Sequence, residues 1–289
     1  SACKCKLLQG QTRVLHANIG LSSQEQSEGW ILSCAHAPLT DVVIDIEEYT
    51  GPPLPRKATF PCRISSISAL SSDVIRVSLR LPPKSTFSAL PGQYVQLIGP
   101  RGIRRDYSVA NRMVPGDEIE LHIRRIAGGA MSNYWFDVAK VNDLLRIYGP
   151  LGTFVLRANS ETDVVFIATG TGMAPVKAML EEIAHSDLPA RPRSVTVLWG
   201  GRYSTDLYLD PTTLLESAEY IPTLTRAGAE WSGESGRVQD VLLRRLPRFE
   251  HMQVYACGSD NMIRSASMQL REAGLPRASF YSDAFVASS

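Results

Sequence analysis

Glycine turns beside predicted strands are the first features of this sequence that could do chemistry. Residues 164–168 form a predicted buried strand that runs into Gly170 and Gly172, followed by Ala174 and Pro175. Glycines at a strand-to-helix junction let the backbone approach a pyrophosphate, whose charge the helix N-terminus then faces. Proline suits the first turn of a helix. The turn therefore predicts a nucleotide site, although tight turning alone would select the same glycines.

A second stretch combines an arginine, an aromatic ring and a hydroxyl on one predicted strand. Within residues 104–111, Arg105 and Tyr107 point to one face and Ser108 to the other. A guanidinium for phosphate, an aromatic face for a flat ring and a hydroxyl donor would suit a flavin nucleotide. An ordinary edge strand with a solvent-facing arginine has the same composition, so both interpretations stay open on these residues alone.

A further turn, a cysteine and an arginine complete the set of candidate sites. Gly128, Gly129 and Ser132 lie at a predicted helix start, where backbone N–H groups could meet a second phosphate. Cys257 ends a predicted buried strand, at the sheet edge where ligands of open α/β sheets bind. A thiol beside a cofactor ring fits this position, and so does a small core residue, the commoner role. Arg202 follows the second strand and would meet either a 2′-phosphate or solvent.

The elements that must position these residues change period at residue 163. Before it, short strands separated by glycine and proline turns predict a small antiparallel β-barrel, with strands at 74–79, 94–98 and 119–123 and one helix at 131–138. After it, buried strands alternate with helices, which predicts a parallel, doubly wound sheet. Those strands are 164–168, 194–199, 253–256 and 279–281, and the helices are 175–184, 238–246 and 262–272. One more strand is predicted at 41–46.

The composition excludes several classes of protein. The 289 residues favour two or three domains, and 44% hydrophobic with 20% charged residues is ordinary globular usage, not that of a disordered chain. A net charge of +1 argues against nucleic acid or a membrane surface as partner. No apolar run approaches the ~20 residues of a bilayer helix. Five cysteines, an odd number, argue for a reducing compartment, so we expect a soluble, cytoplasmic protein.

The order of these motifs along the chain resembles the ferredoxin–NADP⁺ reductase family. The motifs are R-x-Y-S from Arg105, G-G-x-x-S from Gly128, G-P-x-G from Gly149, G-T-G-x-A-P from Gly170 and C-G from Cys257. The resemblance covers residue 59 to the end and implies a flavin-binding barrel followed by a pyridine-nucleotide domain. Within the family, the sequence looks most like the CDP-6-deoxyglucoseen reductase group. Reductases of aromatic-ring dioxygenases and of multicomponent monooxygenases share the layout.

The resemblance also implies roles for single residues. Arg105 would bind flavin phosphate, Tyr107 would pack on the isoalloxazine ring, and the Gly128 turn would meet the pyrophosphate of FAD. The implied catalytic residues are Ser108 and Asp283 near flavin N5 and Cys257 beside the nicotinamide. The other implied cofactor-binding residues are His122, Ile123, Gly129, Met131, Ser132, Gly170, Thr171, Gly172, Ala174, Pro175, Arg202, Gly258 and Phe285. Relatives often carry prolines after the glycine of the C-G motif, and this chain does not.

The first fifty residues look like the C-terminal two-thirds of a plant-type [2Fe–2S] ferredoxin. Such clusters use C-x₄-C-x₂-C and a distant fourth cysteine. Cys3 fits the third ligand and Cys34 the fourth, and the second ligand would precede Ser1. We therefore expect an N-terminal truncation in which two of the four ligands are missing and Cys5 is a bystander. The chain as given should bind FAD and hold no stable cluster.

These arguments predict four segments and one principal function. The segments are a partial β-grasp ferredoxin-like domain at 1–49, a linker at 50–58, an FAD-binding β-barrel at 59–157 and an NAD(P)H-binding α/β domain at 158–289. The predicted function is electron transfer from NADH or NADPH through FAD, and through a [2Fe–2S] cluster in the complete protein, to an enzyme that accepts single electrons. A nucleotide-sugar (CDP-deoxyhexulose) dehydratase is the first expected partner, and an aromatic-ring dioxygenase or multicomponent monooxygenase is the alternative.

Two other classes of function stay open. One is a flavoprotein that acts directly on a small substrate or on oxygen. The other is a non-catalytic interaction module on a reductase fold, against which the intact Arg105, Tyr107 and Ser108 argue.

Overall fold

The structure is a computed structural model that describes residues 4–15, 21, 23–45, 49, 51–187, 191–245 and 248–285. Its contacts divide the chain into two compact units, Ser1–Thr50 and Gly51–Ser289. The predicted barrel and the predicted α/β domain therefore lie in one unit. Strand pairing in that unit begins at Ala58, the last residue of the predicted linker.

The first unit contains two small antiparallel sheets and a short helix. β1 (Lys4–Gln9) and β2 (Thr12–Val14) precede α1 (Ser23–Ser27), and β3 (Trp30–Leu32), β4 (His36–Pro38) and β5 (Val43–Asp45) follow it. β1 lies between β3 and β5, and β2 pairs with β4. β5 falls within the strand predicted at 41–46, whose last residue lies outside the described residues.

Six antiparallel strands form a barrel in the second unit: β6 (Ala58–Ala69), β7 (Val74–Arg80), β8 (Tyr94–Ile98), β9 (Arg104–Ser108), β10 (Ile119–Arg124) and β11 (Leu144–Leu151). Their order is β10-β7-β6-β11-β8-β9, and a bridge from Val109 to Leu121 joins the two ends of that order. Ile119, Leu121 and Ile123 alternate along β10 and are buried in the barrel core. The three polar residues that alternate with them therefore share the opposite face of the strand.

The helix predicted at 131–138 is present but irregular. α2 (Ala130–Asn133) is a single α-helical turn, and a π-helical turn continues it over Tyr134–Val138. Met131, Tyr134 and Trp135 are all buried in the barrel core. The wider turn allows two consecutive aromatic side chains to face that core.

Six parallel strands form the second sheet: β12 (Asp163–Thr169), β13 (Ser194–Gly201), β14 (Glu219–Leu224), β15 (Glu234–Ser235), β16 (Met252–Ser259) and β17 (Phe280–Phe285). Its helices are α3 (Met173–His185), α4 (Val238–Arg245) and α5 (Asp260–Glu272). The parallel sheet confirms the predicted fold class. Some details differ: Ser279 belongs to a 3₁₀ turn instead of the last strand. The sequence pattern also missed β14, which contains Pro222, and the two-residue β15.

The order of this sheet, β15-β14-β13-β12-β16-β17, determines where a ligand can bind. α3 packs on one face with Phe166, Val197 and Tyr255, and α4 and α5 pack on the other with Ile167 and Val254. The chain moves outward from β12 in one direction, then returns to add β16 on its other side. In open α/β sheets the ligand cleft lies at such a reversal, at the carboxyl ends of the strands.

Candidate functional site

A cleft of about 880 Å³ lies at this reversal point. Of the predicted site residues, Gly170, Thr171, Arg202 and Phe285 line it, and the barrel contributes Arg124 and Ile126 to its wall. The cleft therefore joins the carboxyl ends of the parallel strands to the end of β10.

The glycine turn of this cleft is shaped by close packing. Gly170–Gly172 forms a 3₁₀ turn between β12 and α3, and Gly170 has a φ of 54°. A side chain on Gly172 would collide with the carbonyl oxygen of Cys257. Ala174 and Pro175 are buried in the first turn of α3, as the fit of proline to that turn predicts. The turn therefore requires glycine whether or not it binds a phosphate.

Arg124 and Asp206 form an ion pair at the mouth of the cleft, and the sequence analysis did not identify either residue. The Arg124 guanidinium lies 2.8 Å from a carboxylate oxygen of Asp73 and 3.2 Å from one of Asp206. Asp206 also accepts the backbone N–H of Arg202 at 2.7 Å. Burial opposes the ionisation of Asp206. The backbone N–H of Arg202 and the positive charge of Arg124 contribute to a larger opposite effect, so the pKa of Asp206 is lowered. Arg202 itself is half exposed, with its Nε 3.5 Å from Asp206.

The flavin-type residues predicted on β9 lie as their alternation requires. Ser108 is buried at 7% exposure, whereas Arg105 and Tyr107 are partly exposed. The Tyr107 hydroxyl accepts a hydrogen bond from Trp135 Nε1 at 3.0 Å, and the two rings meet edge to face. Burial is the main reason that the pKa of Tyr107 rises to about 12. Trp135 thus holds the Tyr107 side chain in one orientation, in which part of the Tyr107 ring is exposed.

The predicted second phosphate turn has an open backbone. Ser132 Oγ accepts a hydrogen bond from the Ile126 N–H at 2.7 Å, and this bond links the two ends of the turn. Gly128 has a φ of 74°, and a side chain added there would meet no atom within 4 Å. Gly129 donates to the Ile126 carbonyl at 3.1 Å, and Met131 is buried in the barrel core. Gly128 therefore offers unobstructed backbone of the kind that a pyrophosphate needs.

Cys257 and Asp283 are opposite each other on adjacent strands. Cys257 on β16 pairs with Asp283 on β17 and is completely buried. Burial and the neighbouring Asp283 carboxyl raise the pKa of the Cys257 thiol well above its ordinary value. Burial and Asp106 raise the pKa of Asp283 to about 6. Gly258, next in β16, has a φ of 144° and packs so closely on Thr169 that no side chain would fit.

Tyr94 lies near predicted site residues of both the barrel and the α/β domain. It pairs with Ser108 across β8 and β9. Burial raises the pKa of Tyr94, and the charges of Asp106 and Asp283 raise it further. Tyr94 therefore lies opposite Ser108 and near enough to Asp283 for that charge to act on it.

His122 and Ile123 have buried side chains. His122 Nδ1 lies 3.0 Å from the Tyr208 hydroxyl, and its Nε2 lies 2.8 Å from Glu120. Burial lowers the pKa of His122 more than the Glu120 carboxylate raises it, so the ring stays neutral near pH 7. Ile123 belongs to the barrel core. Their predicted contacts with the cofactor remain a prediction.

The cysteines of the first unit fall partly outside the described residues. Cys3 lies outside the described residues, Cys5 is buried in β1, and Cys34 is exposed in a 3₁₀ turn. The first fifty residues contain these three cysteines, and a plant-type cluster needs four thiolates. Within the described ranges, no three His, Cys, Asp or Glu side chains are grouped so that they could hold a metal ion. The expectation that this chain holds no stable cluster stays a prediction.

Comparison with known proteins identifies the family. Residues 61–156 match the oxidoreductase FAD-binding domain, and residues 166–268 match the oxidoreductase NAD-binding domain. The CDP-6-deoxy-L-threo-D-glycero-4-hexulose-3-dehydrase reductase of Yersinia pestis is 35% identical over 291 residues, which cover 99% of this chain and 87% of that protein. The chain belongs to the ferredoxin reductase-type family of FAD- and NAD-binding oxidoreductases.

Other members of the ferredoxin reductase-type family are similar over the whole chain. The toluate 1,2-dioxygenase electron transfer component of Pseudomonas putida is 30% identical, covering 100% of this chain and 86% of its own length. The structure of the Amycolatopsis cytochrome P450 reductase GcoB matches with a TM-score of 0.79 at 25% identity, covering 100% of this chain and 88% of that one. These matches confirm the predicted resemblance, the fold class and the class of enzyme, an electron-transfer flavoprotein. No helix in the described part of the chain is long and apolar enough to cross a membrane.

Proposed function

We propose that this reductase takes a hydride from NADH or NADPH onto FAD and passes the electrons singly to a partner enzyme. The observation that carries the proposal is the cleft at the reversal point of the parallel sheet. Gly170 and Thr171 of the α/β domain and Arg124 of the barrel line that one cleft. When bound, FAD supplies the chemistry that splits one two-electron donation into two one-electron transfers.

The barrel residues would bind and orient the flavin. Arg105 would pair with its phosphate, and a guanidinium is suited to phosphate because it donates in a fixed fork. Gly128 would bring open backbone to the pyrophosphate, and Ser132 would keep that turn closed from within. Tyr107, held by Trp135, would lie against the ring system, with Ser108 donating a hydrogen bond near N5.

The α/β residues would bind the nicotinamide nucleotide and exclude water. Gly170 and Thr171 line the cleft at the start of α3, where N–H groups face an anion. Cys257 would lie behind the nicotinamide site, because its thiol is completely buried in the core of the α/β domain and its raised pKa keeps it protonated. Asp283, with a pKa of about 6, could hold a proton beside N5 in slightly acidic conditions. Phe285 lies at the end of the same strand, on the wall of the cleft.

The partner enzyme concerns the one-electron side of the proposed function. We propose a nucleotide-sugar (CDP-deoxyhexulose) dehydratase as acceptor, because the Yersinia pestis relative is a reductase for such a dehydrase and is 35% identical. The 30% identical toluate dioxygenase component supports an aromatic-ring oxygenase as the second candidate. In a complete ferredoxin domain, Cys3 and Cys34 would be two of four ligands of a [2Fe–2S] relay, and we propose that the protein works in the cytoplasm.

Three assays test the proposal in order. The purified chain should contain FAD and should reduce ferricyanide with NADH or NADPH, whereas a colourless protein that binds no added FAD would refute it. The dehydratase and an oxygenase component are then compared as acceptors at equal concentration. Iron and sulfide analysis of the same sample tests the cluster: about two of each per protein would contradict the expected incomplete cluster site.

A further inference from the structure

A line of polar side chains crosses the boundary between the barrel and the α/β domain. Glu120, His122 and Arg124 alternate along β10 and share the face opposite the barrel core. Each meets a different part of the α/β domain. Glu120 Oε1 lies 3.3 Å from Lys177 Nζ on α3, and His122 meets Tyr208. Arg124 meets the 3₁₀ turn at the mouth of the cleft.

Three oxygen atoms surround the ammonium group of Lys177. The group donates to the carbonyl oxygen of Ala110 at 3.1 Å and to Glu181 at 2.6 Å, and it forms an ion pair with Glu120 at 3.3 Å. The side chain is 13% exposed, which is low for a lysine. Two hydrogen bonds and a third charge contact restrict this ammonium group far more than the single contact of a typical surface ion pair.

The attachments of Lys177 reach both halves of the proposed site. Ala110 follows Ser108 by two residues on the barrel side. α3, which carries Lys177, begins directly after the glycine turn, where Gly172 packs against the Cys257 carbonyl. One ammonium group therefore connects the strand end on the flavin side with the helix start on the nicotinamide side.

We propose that Lys177 is a positioning residue that sets the separation between the hydride donor and the hydride acceptor. The inference rests on the proposed function, because it concerns how the two ring systems are held. Reacting atoms must approach to about 3–3.5 Å, and a displacement of about 1 Å can cost about 100-fold in rate. His122, which bonds Glu120 at 2.8 Å and Tyr208 at 3.0 Å, restrains the barrel end of the connection.

The first test measures flavin reduction by NADH in Lys177→Met, Lys177→Arg and a matched control, Arg112→Gln. The Arg112–Glu182 pair crosses the same boundary at 2.9 Å, but both side chains are a third or more exposed. Lys177→Met should lower the limiting reduction rate about 10-fold while the Kd of NADH and the flavin content change less than about 3-fold. Lys177→Arg should recover most of the rate, and Arg112→Gln should match the parent. Loss of NADH affinity at an unchanged limiting rate would overturn the inference.

The second test needs no flavin. In the apoprotein, hydrogen exchange of peptides spanning 106–124 and 170–180 should be about 10-fold faster in Lys177→Met than in the parent, with β13 unchanged. Unchanged hydrogen exchange in both peptides would show that Lys177 does not connect the two parts of the site. This result does not depend on whether the parent reacts with NADH, so it distinguishes failure of the inference from failure of the proposed function. If Lys177→Met does not fold, Glu120→Gln replaces it, because the amide removes the charge and keeps the shape. Glu120→Gln should then show both the slower flavin reduction and the faster hydrogen exchange.

Discussion

The barrel and the α/β domain present their candidate binding groups in different ways. On the barrel, the principal groups are side chains, with Arg105, Tyr107 and Ser108 projecting from β9, and the Gly128 turn adds open backbone. On the α/β domain, the principal group is backbone, and Gly172 brings the turn against the Cys257 carbonyl. A site made of side chains can lose one group and keep its shape. A site made of closely packed backbone has no such tolerance, because one added methyl group displaces the chain.

The largest effect is therefore expected from Gly172→Ala. The new methyl group would collide with the Cys257 carbonyl, and backbone cannot move aside as a flexible side chain can. We expect a loss of about 3 kcal/mol in the free energy of unfolding, together with loss of NADH-dependent flavin reduction. Denaturant unfolding followed by circular dichroism measures the first. Gly128→Ala is the matched control, since its added methyl meets no atom and costs only backbone strain, about 1 kcal/mol.

Arg105→Ala tests the side-chain half of the comparison. Its removal should weaken FAD binding by about 2 kcal/mol, about 30-fold in Kd, because a phosphate charge loses its partner. The unfolding free energy of the apoprotein should hardly change, since Arg105 is partly exposed. Fluorescence titration of apoprotein with FAD gives the Kd. Undiminished affinity would remove Arg105 from the flavin site.

Asp283 provides a pH test, because it is a titrating side chain on the α/β side. Its pKa is about 6 in the folded protein against an ordinary 3.8, so the folded state binds the proton more tightly. This contribution to stability is complete below about pH 4 and is lost as the pH rises through about 6, by about 3 kcal/mol in all. Asp283→Asn should remove that fall. Parallel pH profiles for the parent and the variant would show that Asp283 has an ordinary pKa.

Cys257→Ala is expected to act on the reaction without acting on flavin binding. The thiol is buried and protonated, so its loss should loosen the nicotinamide wall and slow flavin reduction about 5-fold. FAD affinity should remain at the parent value. Equal stopped-flow rates would leave Cys257 as a core residue. A 100-fold loss of rate would contradict the comparison, because one side chain would then matter more than the backbone on the α/β side.

Arg202→Ala should have the smallest effect. Its guanidinium is 55% exposed and already lies beside Asp206, so little binding energy depends on it when NADH is the donor. We expect the KM for NADH to change less than about 2-fold. A selective loss with NADPH would assign Arg202 to the 2′-phosphate.

The fold was predictable from the sequence where burial leaves a clear pattern. β12 and β13 are buried on both faces, so each is a nearly continuous apolar run. β14 carries Glu219 and Pro222 and lacks such a run. The helix after Gly129 was predicted, but its π-helical turn was not, because two consecutive buried aromatic residues depend on the shape of the barrel core.

The candidate site was predictable only in part. The glycines and the residues of β9 carry a local signal, since their types and spacing are those of phosphate and ring binding. Lys177 carries none, because its acceptor Ala110 is 67 residues away and contributes only a backbone carbonyl. For the same reason, the bond of His122 to Tyr208, 86 residues apart, could not be seen in the sequence.

The most direct test of the central claim is anaerobic titration of the FAD-loaded protein with NADH, followed by flavin absorbance. The account predicts complete bleaching at about one NADH per flavin, since one hydride carries both electrons that the flavin accepts. Addition of ferricyanide should then restore the absorbance with about two equivalents, because each accepts one electron. An FAD-loaded protein whose absorbance does not change with either NADH or NADPH would contradict the account.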